Sequence, residues 1–273
     1  MRRVAALTAL LALPGLAAAQ EVAPNRATAY LHPTDVRDPR ALWVNPAGLG
    51  VLRDASVYAE LAVQDPATGG ARLRQLSAGF NSRGLGFAYQ RDVFDGGRRG
   101  HTYRLGLAGA SKGLAAGAAM ALYRGDTKGT GWDIGASYAL EGAMALTVGG
   151  VIANIGQPVV RGLEQRLTFV PGLTWRPLGP AAALSLHARI TPDSVMSYAF
   201  GVSWQGSGGR LPIGVLARLD TDGGLRRGAF AVGISVGGPD RVGLVLSTPG
   251  DVSGVDAASL YGLSTRVPGA PRH

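Results

Sequence analysis

Hydrophobic and polar residues alternate with a period of two along most of this 273-residue chain, from about Ser56 onward. In SVYAELAVQ, Val57, Ala59, Leu61 and Val63 share one face, while Ser56, Tyr58, Glu60 and Gln64 share the other. WDIGASYAL sets Trp132, Ile134, Ala136, Tyr138 and Leu140 against Asp133, Gly135, Ser137 and Ala139. Such alternation marks strands with two unlike faces. Fourteen segments of this kind follow one another, at about 55–64, 72–81, 85–94, 101–111, 114–124, 131–140, 143–155, 164–176, 182–191, 196–205, 211–220, 226–236, 241–248 and 258–267.

The joints alternate too. SRG, KG, EG, PLGPA and GPDR follow even-numbered segments and are short. QDPATGG, DGGRRG, GDTKGTG, GQPVVRGL, TDGGL and PGDVSGVDA follow odd-numbered ones and are mostly longer. Short periplasmic turns and longer outer loops are the habit of a transmembrane barrel, and an even strand number leaves both chain ends on the periplasmic side. The expected fold is all-β: a 14-stranded antiparallel transmembrane β-barrel, an up-and-down meander over residues 53–267. Its large apolar face would meet lipid, with Trp and Tyr near strand ends. Its small, polar or arginine-bearing face would line the lumen. A secreted β-sandwich or soluble barrel also alternates its faces. It has no reason to obey the odd–even rule, and sandwiches usually need Greek-key crossings. It stands as the alternative.

The chain opens MRRVAALTALLALPGLAAAQ: two arginines, an apolar run, then an A-x-A site before Gln20. That is the make-up of a secretory signal over residues 1–19. No later stretch reaches the roughly 20 apolar residues of a membrane helix. The expected location is the outer membrane of a Gram-negative-type bacterium, with outer-membrane lipid and the barrel-assembly machinery as partners. The chain has no cysteine, so disulfides and thiolate metal sites are excluded. Its net charge of +9 comes from scattered arginine, not from basic blocks interleaved with aromatics, and no nucleic-acid partner is expected. Its 42 glycines make helices poor.

Residues 20–52 are polar and aperiodic and end in ALWVNPAGLG, 41–50. Together with the signal and the fourteen-segment meander, this wording resembles the FadL superfamily of outer-membrane barrels, which includes long-chain fatty acid and aromatic-hydrocarbon transporters and PorV-type barrels of secretion systems. The resemblance rests on Asn45, Pro46 and Ala47, with Gly48 and Leu49 continuing it. It implies that residues 20–52 fold into the barrel as a hatch, with Trp43 and Leu49 packing it against the wall. It also implies a channel for hydrophobic or amphipathic small molecules gated by that hatch. The PorV-type relatives imply an alternative, a barrel that serves as scaffold or partner for a secretion-system protein or in surface assembly. The chain ends VPGAPRH, without the terminal aromatic common in such barrels; residues 268–273 read as a tail, and the chain could equally be the barrel portion of a longer relative.

The candidate lumen-lining residues are Glu60, Arg104, Asp133, Arg166, Arg176, His187 and Arg189, along with Arg74, Gln90 and Arg218. Their arginine excess would favour anionic groups. GISVG, 233–237, matches the G-x-S-x-G nucleophile elbow, but Ser235 falls inside an alternating strand and the only later histidine is His273. His32, His101, His187 and His273 have no metal-ligand spacing. No catalytic residue, metal or cofactor is expected.

Overall fold

The computed structural model describes residues 28, 30–52, 54–66, 71–140, 145–160, 163–206, 211–249 and 255–266. The expected signal and the tail at 268–273 lie outside them. The strands are β1 (Ala55–Gln64), β2 (Arg72–Ser82), β3 (Leu85–Val93), β4 (Arg99–Ser111), β5 (Leu114–Gly125), β6 (Gly129–Leu140), β7 (Leu146–Ile155), β8 (Val159–Val160), β9 (Leu163–Glu164), β10 (Thr168–Trp175), β11 (Ala182–Ile190), β12 (Val195–Gln205), β13 (Ile213–Asp222), β14 (Arg227–Gly237), β15 (Asp240–Pro249) and β16 (Ala257–Arg266).

All except β8 and β9 form one closed antiparallel barrel of fourteen strands in which each strand pairs with its sequence neighbours and β1 pairs with β16. Ala55 stands opposite Arg266, so the barrel begins and ends at one rim. At that rim β2 and β3 turn through Arg83 and Gly84, with φ of 49° and 87°, and β4 and β5 through Lys112 and Gly113, with φ of 50° and 81°. Two successive positive φ values make the turn whose twist matches the strands it joins. The segment expected at 164–176 is shorter as a wall strand. Residues 159–164 leave the wall as the β8–β9 hairpin, and β10 begins at Thr168.

Period-two alternation translates directly into burial. Along β6, Trp132, Ile134, Tyr138 and Leu140 are exposed on the outside, while Asp133 and Ser137 point inward and are buried. The same outward apolar face runs round the barrel through Val57, Phe87, Leu105, Phe169, Val202 and Ile234. Water would be a poor partner for so continuous an apolar wall; hydrocarbon is a good one.

Two single-turn helices, α1 (Ala41–Val44) and α2 (Gly48–Val51), precede the barrel. They lie inside it. Gly86 and Gly106 are cross-strand partners on β3 and β4, and Gly117 and Gly135 are partners on β5 and β6. These four positions have no side chain to project, and the helices use the space. A Cβ on Gly106 would stand 2.5 Å from Leu42 Cδ2, one on Gly86 3.1 Å from Leu49 Cδ2, and one on Gly117 2.7 Å from the Pro46 carbonyl oxygen. A Cβ on Gly135 would overlap the Asn45 side chain. Leu42 and Leu49 are fully buried as a result.

Gly117→Val is therefore expected to displace the inner segment while leaving the ladders intact, at a cost of roughly 1–3 kcal/mol typical of overpacking. Tryptic cleavage after Arg37 or Arg40, followed by mass spectrometry on the protein in detergent, should accelerate, while the heat-modifiable gel mobility of a folded barrel persists. Unchanged cleavage would show that the glycine rows do not seat the segment.

Candidate functional site

The Asn-Pro junction shapes the inner segment. The Asn45 side chain donates to the Pro33 carbonyl at 2.9 Å and accepts from the Ala47 backbone N–H at 3.1 Å, while the Asn45 backbone N–H closes α1 on the Ala41 carbonyl at 2.9 Å. One residue thus ends α1, starts α2 and ties both to the chain twelve residues earlier. Asn45, Pro46, Ala47 and Leu49 are all fully enclosed. Gly48 is required by close approach, since a Cβ there would run into the Val36 carbonyl oxygen. Trp43 donates its indole N–H to the Tyr58 hydroxyl of β1 at 2.5 Å and lies under the Arg104 guanidinium of β4, 4.9 Å away.

Further tethers run to other parts of the wall. Arg104 Nη1 donates to the Leu42 carbonyl at 2.6 Å and pairs with Asp133 of β6 at 2.5 Å. Arg176 pairs with Asp35. Thr34 meets Thr174 of β10 at 2.8 Å, and Thr174 meets Ser185 of β11 at 2.9 Å. His32 and His187 of β11 share a hydrogen bond between their Nδ1 atoms at 2.9 Å. Arg218 of β13 donates to the Leu31 carbonyl at 2.7 Å and clasps Asp220 with Nε and Nη2. Arg40 is chelated by Asp38 through Nε and Nη2, donates to Tyr30 at 2.8 Å and lies 4.9 Å from the Tyr261 ring of β16. Arg241 of β15 adds a 3.6 Å contact to Asp38.

Above this plug the lumen opens into a cavity of about 630 Å³. Its floor is Leu31, Pro33, Trp43 and Val44. Its walls come from the strand ends that feed the longer connections, including Phe94, Thr127, Asn154, Gln165, Met196 and Asp220. Arg74, Arg104, Arg189, Arg218, Gln75, Gln90, Asp92 and Asp133 project into it beside the apolar Val93, Val151 and Val170. Asp92 accepts from Gln75 and Gln90 at 2.8 and 2.9 Å. The lining mixes carboxylates, guanidiniums, amides and aliphatic surface.

The residues expected in the lumen thus separate into groups. Arg104, Asp133 and His187 face inward, and these three with Arg176 engage the segment or one another. Arg189 lines the cavity. Glu60 is buried among Arg40, Asp38 and Ser259. Arg166 is different. It lies in the connection before β10, exposed, and pairs with Asp193 across the rim at 3.1 Å, because the β8–β9 excursion moves it off the wall strand. Ser235 lies within β14 opposite Gly214 and Gly243, with no helix following it. His101 faces outward, and His273 lies outside the described residues. Tyr30, Asp38 and Arg40, the densest polar knot of the segment, went unsingled in the sequence because nothing in residues 20–52 is periodic. The rows of inward glycines are the signal that could have announced a docked segment.

No protein-family model matches the sequence, and no curated protein matches it. Among solved structures the chain is similar to a FadL homologue of Pseudomonas aeruginosa, with a TM-score of 0.49 and 10% identity over 85% of this chain and 94% of that one. It is also similar to a bacterial polysaccharide outer membrane secretin, at 0.46 and 10% over 80% and 100% of the two chains. The Acinetobacter baumannii outer membrane protein Omp33 gives 0.46 and 9% over 80% and 100%. At such identities nothing about cargo passes from them to this chain.

Acid should loosen the plug first at His32. Burial, reinforced by the Arg218 charge, pushes its pKa down from 6.5 to about 3. The docked ring is neutral, whereas a released one takes up a proton near its ordinary value. Docking is therefore fully stabilised above that value and weakens as pH falls through this window. Burial raises the Asp38 carboxyl, but Arg40 and Arg241 outweigh it and hold the group below the usual carboxylate range. Its contribution has the same sign and is lost at lower pH. Thermal midpoints followed by near-ultraviolet circular dichroism should drop between pH 7 and 4 in the wild type and drop less in His32→Gln. Equal drops would remove His32 from the account.

Proposed function

We propose that the protein is an outer-membrane channel for small amphipathic molecules, gated by the segment that carries Asn45-Pro46-Ala47. The observation that carries this reading is the cavity, closed below by Trp43, Val44, Leu31 and Pro33 and walled above by the ends of the wall strands. Its volume falls within the few hundred to one thousand Å³ usual for small-molecule sites. Its lining offers apolar surface and both signs of charge together, which suits a cargo with an apolar body and a polar head better than a pure hydrocarbon. The step is movement, with no bond made or broken. The likeness of the Asn45–Leu49 wording to the FadL superfamily supports the same reading.

The tethers let the gate be locked. The chain has no cysteine of its own. The hydroxyls of Thr34 and Thr174 lie 2.8 Å apart, which makes this pair the place to introduce a cysteine cross-link. In liposomes, the oxidised Thr34→Cys/Thr174→Cys protein should pass no more amphipathic solute than protein-free membranes, and reduction should restore flux. Equal flux in both redox states would defeat the gate. A chain lacking residues 30–52 that folds and still passes nothing would defeat the channel and favour the scaffold reading.

A further inference from the structure

The outer wall carries a feature that the lumen does not explain. On the arc from β3 to β5 the outward side chains form horizontal rows. Phe87, Leu105 and Met120 are cross-strand partners in one row. Two residues nearer the long-loop rim come Tyr89, Tyr103 and Leu122. Two residues further come Arg91, His101 and Arg124. Hydrocarbon-facing residues thus give way to tyrosines, the amphipathic residue of membrane interfaces, and then to cations one step of about 7 Å beyond, given a strand rise near 3.4 Å per residue. Tyr89 and Tyr103 contact one another, and the Tyr89 hydroxyl meets His101 Nδ1 at 2.8 Å, which fixes the ring between the two arginines. Arg98 and Arg99, both exposed, stand at the same rim.

Arg124 Nη1 donates to the Tyr123 carbonyl at 2.8 Å, but the charges of the row are not neutralised within it. Among the described residues no carboxylate pairs with Arg91, Arg98, Arg99 or Arg124, and Arg91 Nε is buried without a hydrogen-bond partner. Asp126 accepts from the Arg99 backbone N–H at 2.8 Å. Elsewhere the rims behave differently: Arg266 is clasped by Asp240 at 2.6 and 2.8 Å, and Arg166 is paired with Asp193. Arg91 and Arg124 stand two strands apart on either side of His101, so their like charges repel across it. A phosphate between them would remove the repulsion and supply several acceptors to planar donors, the geometry guanidinium groups favour.

We propose that Arg91, Arg124 and Arg99, framed by Tyr89 and His101, form a binding site on the outer wall for the phosphate of an anionic lipid in the outer leaflet. The site rests on the barrel standing in a bilayer and is independent of whether the inner segment gates anything. It would hold the barrel at a fixed height and give it a lipid collar on one arc. Each arginine near a charged surface is worth a factor of roughly five in affinity.

The test uses the full chain in a neutral detergent, titrated with bis-phosphorylated lipid A and read by native mass spectrometry. One lipid should bind in preference to phosphatidylcholine, and affinity should fall by at least about tenfold as salt rises, as expected for a charge-driven contact. Arg91→Gln/Arg124→Gln should weaken binding roughly 25-fold, the product of two such factors, while Arg166→Gln leaves it unchanged. Solute flux through liposomes should be the same in the double variant and the wild type, so loss of lipid binding and loss of transport are read apart. No preference for lipid A in the wild type, or affinity indifferent to salt, overturns the site even if the double variant misfolds. So does a double variant that folds and binds within twofold of the wild type. Inorganic phosphate binding as tightly as lipid A would assign the row to a free anion and overturn the lipid.

Discussion

Ten consecutive residue pairs, from Ala55–Arg266 to Gln64–Ala257, join the first wall strand to the last. Without that ladder, β1 and β16 would each present a row of unpaired backbone groups. In hydrocarbon each such group costs several kcal/mol, so the sheet either closes or does not insert. Closure then dictates the rest. It sets one face of every strand toward lipid, forcing Phe87, Leu105 and Ile134 outward, and sends the other face into a space that water or protein must fill.

Part of that space is filled by the chain itself. A bundle of inward polar groups such as Arg104, Asp133, Thr174 and His187 would be costly if merely buried, since a buried polar group needs a partner. The inner segment supplies partners through its carbonyls at Leu31 and Leu42 and its side chains at His32, Thr34 and Asp35. The two glycine rows do the complementary job. They remove bulk where α1 and α2 approach the wall, so apolar contact and polar tether coexist in one cross-section.

The barrel was legible because its cause is local. Period-two patterning in segments such as 56–64 and 131–140 is imposed by a wall with lipid on one side and lumen on the other, and it is interrupted where bulges shift the register, as in β2 between Leu73 and Gln75. The inner segment was legible only as a place and a likeness. Four-residue helices have no period to detect, and the partners that hold them lie far along the chain: Asp35 with Arg176, His32 with His187. Arg166 shows the opposite failure. Its local pattern reads as wall, but the β8–β9 hairpin takes residues out of register, and the side chain ends at the rim with Asp193. Residues 1–27 and 267–273 are not described, so the signal and tail remain sequence expectations.

In the proposed channel, the number of tethers does not make a lock too strong to open, because the physics of release is not that of mutation. Removing one member of a buried ion pair strands the other and costs about 3–5 kcal/mol. When the segment leaves as a unit, water enters behind it. Arg176 and Asp35 are then both hydrated, as are Thr34 and Thr174, and the net loss per hydrogen bond is nearer 1 kcal/mol. Leu42 and Leu49 gain no such compensation. Each loses about 1.5–3 kcal/mol of burial on leaving the glycine rows. Burial of Leu42 and Leu49 against Gly86 and Gly106 thus outweighs any single tether, and the several tethers together match it while setting where the segment returns. In the proposed channel, an amphipathic cargo would lower that barrier by covering the exposed leucines as the segment moves, so that the chemistry of the cavity would be coupled to the opening of its floor.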